Sequence, residues 1–313
     1  MRPRDKALGT LLSDSLVSFD REVHPLPGLA ASGRRSVLVE QMLESVHRVH
    51  YPRRLALRPH SLRRADPNDP LFDPLRAAII HKNAGNIDEA CWLVFLFVHF
   101  GKHSRGGWRY LREVYGKRGD PIYWTWGNTK SDISGFRKYL FDNFVYLGRK
   151  SPPGGFGNHR KYESLNAYAD NGTGAATASY IEWIGEVCGH QKKFDGIQAA
   201  TGGDPKIAFG ALFKSMDVVK RFGRTARFDY LAMLGRLDLA KIEPGLAYFS
   251  SATGPLRGAR LLFANDVRAK LSAATLESWV AQLDSRLEIG TQALEDSLCN
   301  WQKSPNEFIR FRG

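Results

Sequence analysis

Apolar residues recur at helical spacing along most of the chain, and strict alternation is never sustained. From Ser36 to Val49, the residues Val37, Val39, Met42, Leu43 and Val46 gather on roughly one side of a helix. A second helix is predicted over 75–82. Asn86 or Asp88 can cap the next, which runs through CWLVFLFVHF. A short helix is predicted over 108–115 and an amphipathic one over 131–147, opened by Ser131 and Asp132. Further helices are expected over 172–187, 204–219, 225–237, 272–287 and 291–302. No Asn-Gly or Asp-Gly turn joins alternating runs, so no strand is expected. The pattern predicts an all-α fold.

Interruptions divide this pattern. Residues 1–34 read as a loosely packed lead-in with the loop HPLPGLAASG, and 51–74 as a long connection holding five prolines. SPPGGFGN at 151–158 is a loop. The organisation expected is an N-terminal extension over 1–70 and one helical domain over 71–313, with two lobes meeting near residue 190.

Composition narrows the class. Of 313 residues, 43% are hydrophobic, enough to build a core and to exclude a mainly disordered chain. The longest apolar run, from Ala90 to Phe100, falls short of the roughly 20 residues a membrane helix needs, so it predicts a buried helix. The basic N-terminus is followed by no apolar stretch, so no secretory signal is expected. Cys91, Cys188 and Cys299 lie far apart and are odd in number, which argues against a disulfide framework or a four-cysteine metal site. A cytoplasmic monomer without cofactor or metal is expected.

Charge points to a partner. The formal net charge is +13, and residues 101–161 hold 13 Lys and Arg against four Asp and Glu. Twelve aromatics are interleaved with them, Trp124 and Trp126 included. Cations neutralise phosphates and aromatic faces stack on exposed bases, so this stretch is a candidate nucleic-acid surface. Lys102 and Arg105 are candidate phosphate contacts; Trp124, Trp126 and Tyr162 are candidate stacking residues. The alternative is a solvated basic face around an aromatic core.

Three motifs can carry chemistry. In GNHRKYES, Asn158, Arg160 and Lys161 can hold a phosphate, while His159 and Glu163 can move protons; a capping loop is the alternative. In FGRTARFDY, Arg224 and Arg227 lie near one helical face, and Asp229 could stabilise a cationic transition state. In TGPLRGAR, Arg257 could contact phosphate, and the Gly-x-x-x-Gly spacing could instead admit close helix packing. His99 and His103 stand four apart, but without an intervening Glu they make no metalloprotease motif. No phosphate-loop or dinucleotide fingerprint is present.

The strings WLVFLFVHFGKH, FGNHRKYESL, FGRTARFDYLAMLGRL, TGPLRGARLLF and LEDSLCNWQKSP resemble the alpha-glutamyl/putrescinyl thymine pyrophosphorylase family, clade 3, over roughly residues 70–313. That family is similar to the helix-hairpin-helix DNA glycosylases. The resemblance implies a two-lobed all-α fold that flips a modified pyrimidine out of double-stranded DNA, with Asp229 at the sugar and His159 and Glu163 as rivals for the catalytic role. It implies neither an iron–sulfur cluster nor a Schiff-base lysine. The activity implied first is excision of a hypermodified base, such as glucosylated hydroxymethylcytosine or a hypermodified thymine, from phage DNA in antiviral defence. The alternative is a transferase that attaches an amine to a phosphorylated hydroxymethyl pyrimidine in DNA.

Overall fold

The computed structural model describes residues 2–185 and 189–310, so Cys188 lies outside the described residues. The fold is all-α. In chain order the helices are α1 (Lys6–Glu22), α2 (Arg34–Val49), α3 (Tyr51–Ala56), α4 (Pro74–Asn83), α5 (Ile87–Phe100), α6 (Arg109–Tyr115), α7 (Trp126–Ser131), α8 (Ile133–Asp142), α9 (Phe144–Leu147), α10 (Thr173–Ile184), α11 (Gly189–Ala200), α12 (Pro205–Ser215), α13 (Arg224–Arg236), α14 (Gly254–Ala264), α15 (Ala273–Leu287) and α16 (Thr291–Trp301). Among the described residues the only bridges are isolated, His103 with Gly107 and Ser164 with Gly172.

The chain forms two compact units. Among the described residues, the first joins 2–51 to 244–310, and the second lies within Pro52–Glu243. This division does not follow a boundary at residue 70, because the N-terminal segment is not a loose lead-in. Leu12, Leu16 and Phe19 lie four and three residues apart on α1 and are fully buried. They share a core with Leu38 and Met42 of α2, Leu262 of α14, Leu283 of α15 and Leu298 and Trp301 of α16. The Gly-x-x-x-Gly spacing serves packing here: a side chain on Gly258 would collide with the Leu298 carbonyl. Arg48 fixes α2 to α16 by two hydrogen bonds to Asp296 Oδ2, at 3.0 and 2.7 Å.

The second unit is assembled around α5, whose residues from Ala90 to Phe100 are buried except Phe97. α4, α6, α7, α11 and α13 all pack against it. Asp73 opens α4 by accepting from Arg76 N at 2.9 Å, and Asp204 opens α12 by accepting from Lys206 N and Ile207 N. The helix predicted over 131–147 is broken in two places. Asp132 ends α7 and caps α8, accepting from Gly135 N at 2.7 Å, and Asn143 separates α8 from α9. α11 had no counterpart in the hydrophobic pattern.

Candidate functional site

Three of the motif strings meet in the second unit at the C-terminal end of α5. Gly101 ends that helix with φ +61°, and Gly157 lies against it, its N–H donating to Phe100 O at 2.8 Å. The loop carrying GNHRKYES is thereby seated on the helix that carries HFGKH.

Arg160 occupies the centre of this junction. Its Nε donates to His99 O at 3.1 Å and its Nη2 to Arg221 O at 3.0 Å. Its guanidinium lies 5.3 Å from the Phe222 ring centre. Glu163, with a side chain only 7% exposed, pairs with Arg221 at 2.7 Å and with Arg160 at 3.4 Å. Burial pulls the Arg160 guanidinium below its ordinary value; Glu163 favours its charged form, Arg221 opposes it, and Asp229 favours it. Asp229 is therefore an electrostatic neighbour of Arg160, exposed on the α13 surface. Arg221 itself has φ +65°, an uncommon conformation for a residue with a side chain.

Beneath the junction, His99 is fully buried. Its Nε2 is 3.0 Å from Thr173 Oγ1, which donates its own proton to Ser164 O at 2.8 Å. Nε2 must therefore carry the imidazole proton, and Nδ1 has no partner among the described residues. Burial, reinforced by Arg160 and Arg221, holds the ring well below the ordinary histidine range and neutral. His103 accepts from Gly106 N at 2.9 Å within its own turn. The two histidines are thus engaged separately, and among the described residues no cluster of three His, Cys, Asp or Glu could hold a metal.

The sequence-derived site residues separate into two groups. Asn158, His159, Lys161 and Tyr162 are exposed on the loop, Tyr162 at 80%, and Lys102 and Arg105 are exposed on the neighbouring turn. Arg257 is exposed on α14 of the other unit. The remaining assignments need correction. Trp124 and Trp126 are core residues, 7% and 5% exposed, packed against Phe136 and Tyr139, and against Trp92, Tyr180 and His190, respectively. Their faces are not offered to a base. Arg224 is buried with its guanidinium over Phe228. Arg227 is largely covered, lies over Phe213 and pairs with Asp217 at 2.7 Å. Neither Arg224 nor Arg227 presents a free cation to DNA. Arg160 and Glu163 hold the loop in place through their ion pairs rather than projecting from it.

Sequence reasoning missed His99, Arg221 and Phe222 as parts of the junction. It also missed a cleft of about 660 Å³ at the opposite end of α5, lined by His81, Asp88, Glu89, Thr125, Trp126 and Gln191, among others. Eleven residues of α5 separate Asp88 from His99, which is roughly 16 Å at 1.5 Å per residue. The junction and the cleft are distinct places.

The junction thus sets the exposed cations Lys102, Arg105 and Lys161 and the exposed Tyr162 ring beside the largely covered Arg160–Glu163 pair of this all-helical unit. Residues 33–313 match the family model of alpha-glutamyl/putrescinyl thymine pyrophosphorylase clade 3, and the chain belongs to that family. The match begins at the residue that caps α2, well before residue 70. No curated protein and no solved structure matches the chain.

Proposed function

We propose that the chain binds double-stranded DNA through the junction and hydrolyses the N-glycosidic bond of a modified pyrimidine, leaving an abasic site. The observation that carries this reading is the junction itself. Exposed Lys102, Arg105, Asn158, Lys161 and Tyr162 lie on the loop and turn held by the Arg160–Glu163–Arg221 network, in which Arg160 and Glu163 are largely covered and Arg221 is partly exposed. Cations, amides and an exposed ring held by a rigid base suit a backbone with an extruded nucleotide, since flipping costs a few kcal/mol that fixed contacts must offset. Family membership supports a modified base as the target. Two carboxylates of this unit are rivals for the sugar, Asp229 beside the junction and Asp88 in the cleft. Release of a base from infecting phage DNA would block its replication, which makes antiviral defence the biological setting of this reading.

The test is incubation with duplex DNA carrying glucosylated hydroxymethylcytosine or hypermodified thymine, followed by mass analysis of both fractions. Free modified base and alkali-labile sites are expected. DNA that gains mass in the presence of an amine, with no free base, would establish the transferase reading instead.

A further inference from the structure

We propose that Asp88 and Glu89, in the cleft at the start of α5, are the catalytic carboxyl pair for base release, and that His190 and Tyr180 position Asp88. This rests on the glycosylase reading. It departs from the sequence expectation for Asp229.

The cleft brings together groups from four elements. Asp88 and Glu89 come from α5, His81 from α4, Trp126 from α7 and Gln191 from α11. A concave polar cleft with perturbed acids is where chemistry is first sought. Asp229, by contrast, sits on an exposed helical face where its charge offsets Arg160.

Asp88 is oriented through one oxygen. Its Oδ1 accepts from His190 N at 2.7 Å and lies 2.6 Å from His190 Nδ1. His190 Nε2 is 2.6 Å from Tyr180 OH, which is 2.7 Å from Tyr230 OH. His190, Tyr180 and Tyr230 are fully buried. The ionised carboxylate can only accept, so Nδ1 carries the proton of the neutral ring. Nε2 must then accept from Tyr180, and Tyr180 must accept from Tyr230. This single consistent direction leaves Asp88 Oδ2 without a hydrogen-bond partner among the described residues, on a side chain 47% exposed.

The two carboxyls differ in protonation. The hydrogen bond from His190 holds Asp88 below the usual carboxylate range, against a smaller opposing effect of burial, with Lys130 of α7 assisting. Burial pushes Glu89 up to about 7, despite hydrogen bonds from Tyr115 OH and Trp126 N and with the Asp88 charge adding to the rise. The other titratable groups facing the pair are His81, kept low by burial, and His190, kept low by burial against the raising effect of the Asp88 hydrogen bond and charge, with Lys130 and Lys193 lowering it further. At neutral pH Asp88 is ionised, and Glu89 holds a proton in about half the molecules. Such divergence assigns acid and base roles within a pair.

The step balances with water alone. The C1′–N1 bond breaks and its electron pair leaves on the base, which takes the Glu89 proton. The water oxygen bonds to C1′ and passes a proton to Asp88, whose charge stabilises the cationic sugar. Proton exchange with solvent restores both groups. The ligand class is therefore a pyrimidine N-glycoside, extruded from the duplex.

Single-turnover base release should be measured on the two modified duplexes above for wild type and for Asp88→Asn, Glu89→Gln, Tyr180→Phe and Asp229→Asn, from pH 5 to 9. Thermal unfolding and DNA affinity are recorded alongside. Asp88→Asn is expected to slow release by about 10² or more with affinity within twofold. The wild-type rate is expected to fall above about pH 7, and Glu89→Gln should be slower and lack that fall. Tyr180→Phe, which leaves both carboxyls in place, should move the acidic limb to higher pH. Asp229→Asn, which removes a negative charge beside the cationic junction, should not weaken DNA affinity and should release base faster than Asp88→Asn at saturating DNA. Folded Asp88→Asn that works at the wild-type rate, or an Asp229→Asn variant that binds but releases nothing, overturns the assignment while the glycosylase reading stands. If Asp88→Asn does not fold, an unmoved acidic limb in Tyr180→Phe overturns it. A wild type that releases no base overturns the reading and this assignment with it.

Discussion

Gly157 is packed so closely on Gly101 that a Cβ at position 157 would lie 2.9 Å from the Gly101 Cα. The neighbours at that point are backbone, so nothing flexible can give way. Gly157→Ala should destabilise the protein by about 1–3 kcal/mol through overpacking. It should also lift the loop that carries Asn158, Lys161 and Tyr162 away from α5. Urea unfolding combined with a DNA-binding titration checks both effects, and affinity is expected to fall further than stability alone accounts for.

The raised pKa of Glu89 has a consequence for stability. A carboxyl whose folded value is about 7, against an ordinary 4.5, favours the folded state fully below pH 4.5. That contribution is lost as the pH rises through about 7, because the unfolded chain ionises first. The loss attributable to this one group is about 3 kcal/mol at most. Glu89→Gln removes it. Urea midpoints at pH 5 and pH 8 should therefore differ less in the variant than in wild type, and an unchanged difference would show that Glu89 does not titrate as described.

Much of the fold is legible along the chain because its helices declare themselves locally. The Ala90–Phe100 run predicts a buried helix, and Asp204 and Ser272 mark helix starts that they do cap, each accepting from the first turn. α1 was within reach of the pattern, since Leu12, Leu16 and Phe19 stand at helical spacing, but Gly9 and the exposed apolar Leu11 and Val17 on its other side obscure that face. α11 escaped because its apolar face is slight, with only His190 and Phe194 buried. The cleft depends on a contact between Asp88 and His190 that spans 102 residues, and no local pattern encodes such a pair. Composition counted Trp124, Trp126 and Arg160 correctly as part of a basic, aromatic stretch. Composition does not say which of them face inward.

Burial also changes the expected salt response. Of the 13 cations in 101–161, those exposed are Lys102, Arg105, Arg118, Lys138, Lys150 and Lys161. Arg109 is buried and bonded to main-chain carbonyls of Arg149 and Leu147, and Arg149 pairs with Glu113. With about five phosphates neutralised instead of one per cation, affinity for duplex DNA should fall by about 10² to 10³ between 50 and 200 mM salt. Fluorescence anisotropy across that range measures the slope; a flat response would remove DNA as the partner.

The neighbouring residues Arg160 and Lys161 should behave oppositely when each is changed to alanine. Lys161 is exposed, with its ammonium 5.1 Å from the Tyr162 ring centre, and makes no ion pair among the described residues. Lys161→Ala should leave the unfolding midpoint within about 0.5 kcal/mol of wild type. It should lower DNA affinity and make the salt slope shallower by about one phosphate. Arg160 is tied to His99 O, Arg221 O and Glu163. Its removal leaves two carbonyls without their donor and leaves Glu163 paired with Arg221 alone. Breaking such a covered pair from one side costs about 3–5 kcal/mol when both charges are fully buried. Here Arg221 is 31% exposed and remains as a partner, so about 2–3 kcal/mol is expected. Denaturant titration of the two variants separates the cases. If Arg160→Ala were as stable as Lys161→Ala, the network would not be what seats the loop, and Arg160 would return to the list of direct phosphate contacts.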